Sequence, residues 1–287
     1  MHPSPILRCI TLSLAVAAMC AACTHARSAD HPVASPAPTD ITTGRTVDGY
    51  TYTNAPVDVT LGPNTFRIPA NYLQSQIAPW PGESVTIVLE WPDMTPTAPG
   101  ARASPRTNDF RKEIHVIINY IDRVPIRTAV ERMTSNEAVT EPGSLERKDP
   151  TGRLDFRIAQ PEMLGLTRYA IDEARMAVYA REHEALYGKP PIRNSAFEDD
   201  WFVERDATGI ITTFIKCDTH AFRGDGVQLD GDRVIGQAGE PSAACAHFFS
   251  DVENSLLMHA VYKRVFLKDW KKVERAVHDA LNNGKVR

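Results

Sequence analysis

Residues 84–94 read SVTIVLEWPDM, and this stretch decides the class of fold. Val85, Ile87 and Leu89 fall on one side of an extended chain, and Thr86, Val88 and Glu90 on the other. A two-residue period of this kind marks a β-strand. Both sides are largely apolar, so the strand is expected in the centre of a sheet covered on both faces.

Working outward, the same period recurs. VDVTLG (57–62) is a short strand closed by Gly62-Pro63, and NTFRIPANYLQSQ (64–76) starts extended and bends at Pro69 and Asn71. EIHVIINYI (113–121) reads as a second buried strand, and RTAVERMT (127–134) fits either a helical turn or an edge strand. RLDFRIA (153–159) and LTRYAID (166–172) read as strands. WFVERDATGIITTFIKCD (201–218) reads as a hairpin turning near Asp206 to Gly209, and CAHFFSDV (245–252) pairs with LLMHAVYKRVF (256–266) across Glu253-Asn254.

Two segments switch to a helical period. DEARMAVYAREHEALYG (172–188) is rich in helix formers and stops at Gly188. In DWKKVERAVHDALNNG (269–284), Trp270, Val273, Val277 and Leu281 form one apolar stripe, with Asp269 placed to cap the start and Gly284 the end. The expected fold is therefore α+β, a mainly antiparallel sheet covered by one or two helices, including this C-terminal amphipathic one.

The N-terminus bears on location. Ile10 to Ala22 form an apolar run of 13 residues behind Arg8, too short for a mature membrane helix but suited to a signal peptide over 1–22. The run ends in Ala21-Ala22-Cys23, which is similar to a bacterial lipobox with Cys20 in place of its usual leucine. Cys23 is the expected lipidation site, with cleavage near Ala22 to a soluble periplasmic product as the alternative. Thr24, rather than Asp, follows the cysteine, which implies sorting to the outer membrane.

Residues 23–48 are rich in Ser, Thr, Pro and Ala and read as a flexible tether. The globular part is expected over 49–287, and a division into two sheet-based halves near residue 160 is compatible with the pattern. Net charge is −4, and removing a leader whose one charge is Arg8 takes it to −5. No basic run is present, so nucleic acid is not an expected partner. Membrane contact is expected only through the N-terminal lipid.

Of five cysteines, Cys9 and Cys20 leave with the leader and Cys23 takes the lipid, so Cys217 and Cys245 remain as a pair in an oxidising compartment. With His220 and His247 nearby, these could suggest a zinc site, but neither pair has the spacing of a zinc knuckle. A disulfide closing a 29-residue loop is the expectation, worth roughly 3–4 kcal/mol in the chain-entropy model.

No G-x-S-x-G elbow, H-E-x-x-H, P-loop or dinucleotide fingerprint occurs, so no catalytic residues, cofactor or metal is expected. Asp225, Asp230 and Asp232 do not have the spacing of a calcium loop. Glu198, Asp199 and Asp200, in the loop 189–201, read as a solvated tip. His115 lies in a buried-looking strand and reads as a core histidine.

FRIPANYL (66–73) with VTIVLEWPDM (85–94), and GIITTFIKC (209–217) with the second cysteine before HFF and the L-K-DW entry to the last helix, resemble small proteobacterial envelope lipoproteins. Proteins of this kind resemble periplasmic immunity proteins. The resemblance implies a non-enzymatic protein that binds and inhibits an antibacterial secreted effector, of lipase or phospholipase class. Exposed loops would make the contact. Residues 92–109, with four prolines, and 188–201 are the expected contact segments, with Arg102 and Arg106 in the first and Glu198, Asp199 and Asp200 in the second. Two other functions compete: an envelope-assembly or secretion adaptor docking through a sheet edge, and a hydrolase using His220 or His247 with nearby carboxylates.

Overall fold

A computed structural model describes residues 40–80, 82, 84–194, 198–221 and 223–286. The leader, Cys23 and the tether as far as residue 39 lie outside the described residues. The chain opens with β1 (Thr43–Val47) and β2 (Tyr50–Thr53), then β3 (Pro56–Leu61) and β4 (Asn64–Pro69). There follow β5 (Ser84–Glu90), β6 (Glu113–Tyr120), the short helix α1 (Ala129–Arg132), β7 (Arg157–Met163), β8 (Leu166–Ile171) and α2 (Glu173–Tyr187). The second part holds β9 (Asp199–Arg205), β10 (Ile211–Asp218), β11 (Val227–Asp230), β12 (Arg233–Gly236), β13 (Ala244–Asp251), β14 (Leu256–Lys263) and α3 (Trp270–Gly284).

Eight strands form one sheet in the order β5-β6-β14-β13-β10-β9-β8-β7, antiparallel throughout. The α+β expectation is met. Residue 160 falls inside β7, and the sheet runs without a break from β5 to β7, so no division into halves occurs there. The body also begins before residue 49. Thr43–Val47, read as tether, pairs with β2 as β1, because the Arg45 guanidinium donates to the carbonyls of Ala103 at 2.9 Å and Pro105 at 2.6 Å.

β5 is an edge strand, against the expectation of a central one. Val85, Ile87, Val88 and Leu89 are all buried, as their pattern requires. Its free edge is closed by the chain leaving β4: Leu73 bridges Ile87, and the Gln74 N–H donates to the Thr86 carbonyl at 2.9 Å. Side-chain alternation reports burial above and below a strand and carries no information about its lateral neighbours.

α3 lies on one face of the sheet with Trp270, Val273, Val277 and Leu281 fully sequestered in the main core. Each such side chain contributes roughly 1.5–3 kcal/mol on burial. Asp269 occupies the N-cap position, yet its carboxylate makes no cap bond and instead accepts the Trp91 indole N–H at 2.9 Å. Gly284 is the last helical residue, and a β-carbon there would stand 2.8 Å from the Arg67 carbonyl oxygen, so close approach to β4 is what demands glycine. Helix α2 forms as read, capped by Asp172 on the N–H groups of Ala174 and Arg175 and ended by Gly188 in the left-handed region.

One strand starts later than read, one open reading is decided and one hairpin is added. Leu154–Phe156 form a turn of 3-10 helix and the strand begins only at Arg157. RTAVERMT resolves as helix, since Ala129 and Val130 drop into a second apolar cluster on the opposite face with Trp201, Val203, Phe214 and Leu257. The glycine-rich stretch after β10 contains the hairpin β11–β12. Among the described residues, no helix is long and apolar enough to cross a membrane.

Candidate functional site

Cys217 in β10 and Cys245 in β13 are directly opposed, with Cα atoms 4.0 Å apart, and are joined by a disulfide. This settles their role against zinc, and among the described residues no cluster of His, Cys, Asp and Glu could hold a metal. Asp225 accepts the Arg264 guanidinium at 2.8 Å, while Asp230 approaches Arg233.

The two histidines behind the cysteines are not brought together. His247 points under α3 and is 0 % exposed. Its Nε2 meets Glu274 Oε1 at 3.0 Å and its Nδ1 meets the Tyr262 hydroxyl at 3.3 Å, while Thr213 donates to the same Glu274 oxygen at 2.7 Å. Complete burial raises the Tyr262 phenol well above its ordinary value. The arrangement is a polar bridge between sheet and helix in which His247 is sealed and the Glu274 side chain is 20 % exposed at the outer end. His220 is exposed in the turn after β10, where its backbone N–H donates to Asp200 at 3.3 Å.

Segment 92–109 is not the exposed loop its prolines suggest. Met94, Thr97, Ala101 and Arg102 are buried. Arg102 is 8 % exposed, and its guanidinium donates to Thr97 Oγ1 at 2.7 Å and to the carbonyls of Asn71 and Leu73. Burial pushes it down to about 10. Its place as a contact residue is thereby corrected: it is the internal stitch that shapes the loop. Arg106 remains half-exposed and donates to Glu113 at 2.6 Å.

The acidic triplet is not a solvated tip either, because β9 begins at Asp199 and strand alternation sends the two aspartates to opposite faces. Asp200 is 7 % exposed and accepts Arg168 at 2.9 Å on the α3 face. Asp199 is half-buried on the other face, where burial raises its carboxyl above the usual range. Glu198 pairs with Arg193, which also grips Glu173 at the start of α2. Glu198, Asp199 and Arg193 border a cleft of about 350 Å³ walled by Arg157, Met176, Tyr179 and Ile192.

Next to this cleft lies a feature that the sequence did not reveal. On the sheet face opposite α3, the register places Trp201, Lys216, Ala246, Val261 and His115 in one transverse row. Phe214, Phe248, His259 and Ile117 make the row beside it. α1 and its neighbours cover Trp201, Phe214 and Leu257 and reach as far as Phe248. Farther along, Val261 is 38 % exposed, Ala244 is exposed, and Lys216, Ala246, Phe248, His259 and Ile117 are partly open. Phe248 and His259 stack at 4.4 Å, and Lys216 lies over the Trp201 ring at 4.9 Å. The available signal was that Phe214 and Lys216 alternate with the core residues Ile215 and Cys217.

No family model matches the chain, and no curated protein does. Among solved structures, the chain is similar to Smlt3025, an immunity protein of the Stenotrophomonas maltophilia type IV secretion system. The two are 63% identical with a TM-score of 0.83, over 86% of this chain and 99% of that one. Identity at that level across the whole of the solved protein places this chain in the family of that type IV secretion immunity protein.

Proposed function

We propose that this protein binds and neutralises an antibacterial effector delivered by a type IV secretion system, acting in the periplasm from a lipid anchor at Cys23. The observation that carries the reading is the 63% identity to an immunity protein over 99% of its length. The lipase or phospholipase class of the effector is supported by the resemblance in the sequence, and the anchor by Ala21-Ala22-Cys23.

The physical design suits inhibition by occupancy. An antiparallel sheet locked by a disulfide and by α3 offers a rigid surface, which keeps the ordering cost of binding low. The adaptor alternative finds little support, because both sheet edges resist strand addition. Leu73 and Gln74 close the β5 edge, and Pro161 with the irregular register between Ala159 and Glu162 interrupts the β7 edge. The hydrolase alternative is weakened by the sealing of His247.

The test is genetic. Deleting this gene in a recipient attacked by a donor that delivers the effector should cause lysis, and supplying the gene in trans should restore growth. Survival of the deletion strain would overturn the reading. Fractionation of a Cys23→Ser variant tests the anchor, which predicts release from membranes into the soluble periplasmic fraction.

A further inference from the structure

We infer that the uncovered sheet face around Lys216 is the surface that holds the effector, and that the effector fills it with a carboxylate side chain flanked by apolar residues. This rests on the immunity reading and deepens it by naming the surface and the chemistry of what occupies it.

The surface is defined by what it lacks. α3 and the β3–β4 hairpin cover one side of the sheet, and on the other side the α1 cluster takes in Trp201, Phe214 and Leu257 and reaches as far as Phe248. From Phe248 at the margin of that cluster, Ala246, Val261 and Ile117 continue an apolar floor that is only partly shielded from water. Apolar floor of this kind on a rigid sheet is characteristic of a binding surface.

Charge selects the occupant. Arg157 lies over one ring face of the neighbouring Trp201 at 3.9 Å, and Lys216 also approaches that ring, at 4.9 Å. Among the described residues neither cation forms a salt bridge. Arg157 donates only to the carbonyls of Asp199 and Thr151, and Lys216 has Asp199 near it without contact. Burial lowers the affinity of both cations for their protons even though Asp199 lies near each and Glu198, Asp200 and Asp149 lie near Arg157, so Lys216 is a largely desolvated cation with no ion pair of its own. Next to them, His259 Nε2 and the Trp201 indole N–H are buried without partners. In a chain of net charge −4, the Lys216 and Arg157 cations with the Trp201 N–H complement a carboxylate. Lys216 stands at the open part of the strip, where a carboxylate could reach it while its aliphatic neighbours rest on Val261 and Phe248. The cleft beside α2 shares Arg157 and Asp199 with this strip, but the inference rests on Lys216 and its apolar neighbours and does not require the cleft.

The experiment measures binding of the purified mature chain to the purified effector against which the wild type protects cells, by isothermal titration. Lys216→Glu and Val261→Arg should each weaken binding by about a hundredfold. Lys271→Glu, a charge reversal on the exposed side of α3, should bind as wild type does. Thermal melts by circular dichroism verify that all three variants are folded. Wild-type affinity in folded Lys216→Glu and Val261→Arg would overturn the surface while leaving the immunity reading intact. Failure of the wild type itself to bind would bring down both. Light scattering on the chain alone provides an independent arm: a dimer dispersed by Val261→Arg would show that a second copy covers this face, which also contradicts the inference.

Discussion

The Trp91 indole N–H donates to the Asp269 carboxylate across 2.9 Å, joining the end of the edge strand β5 to the start of α3. Trp91 also stacks on Phe266 at 4.9 Å, so one side chain links strand, helix entry and core. Burial works against the Asp269 charge, yet Lys272 at 2.9 Å and the Trp91 donor hold its carboxyl below the ordinary value. A lowered folded-state value contributes stability that is present above the unfolded value and lost as pH falls through the folded one. Asp269→Asn should therefore melt below wild type at pH 7, with the gap closing below about pH 4. Equal melting temperatures at pH 7 would refute this role.

Asp199 has the opposite sign. Burial raises its carboxyl, so the folded state holds the proton more tightly than the unfolded chain does. Its ionisation therefore costs stability as pH rises past the carboxylate range. Asp199→Asn should raise the melting temperature at neutral pH and change it little near pH 3. A variant that is less stable at pH 7 would show that Lys216 and Arg157 depend on this carboxylate more than burial opposes it.

Removing the cross-link tests the staple. A Cys217→Ser, Cys245→Ser double variant should lose roughly 3–4 kcal/mol in chemical denaturation, as should the wild type under reductant. Agreement between the two losses would assign the effect to loop closure between β10 and β13. A wild type indifferent to reductant would contradict it.

Arg102 and Arg106 make a contrasting pair four residues apart. Arg102→Ala leaves the carbonyls of Asn71 and Leu73 and the hydroxyl of Thr97 without their donor, and should cost about 2–4 kcal/mol with faster hydrogen exchange around 71–76. Arg106→Ala removes a half-exposed guanidinium from the buried Glu113, which keeps Asn108 and His115 as partners, and should cost less, about 1 kcal/mol. Similar losses from both would contradict the buried placement of Arg102.

The elements that could be read from sequence are those whose period reports one-sided burial. The stripe Trp270, Val273, Val277 and Leu281 specifies α3, and the Asp206–Gly209 and Glu253–Asn254 turns specify two hairpins. Lateral order is a property of backbone pairing, which the β5 pattern does not encode, so its edge position was invisible. Proline-rich composition suggested an exposed loop at 92–109, but composition does not register a buried arginine gathering carbonyls from 71 and 73. The Lys216 face was hidden for a related reason. It is assembled from β9, β10, β13, β14 and β6, and only the register brings its residues into rows.

The central claim, neutralisation by occupancy, is tested most directly by titrating a fixed amount of active effector with the purified chain and following the effector's own toxic activity. Tight binding predicts a linear fall that reaches zero at a fixed, small whole-number ratio and recovers when the complex is dissociated. Inactivation by far less than stoichiometric protein, or a loss that persists after the chain is removed, would show bond-breaking chemistry and contradict the account.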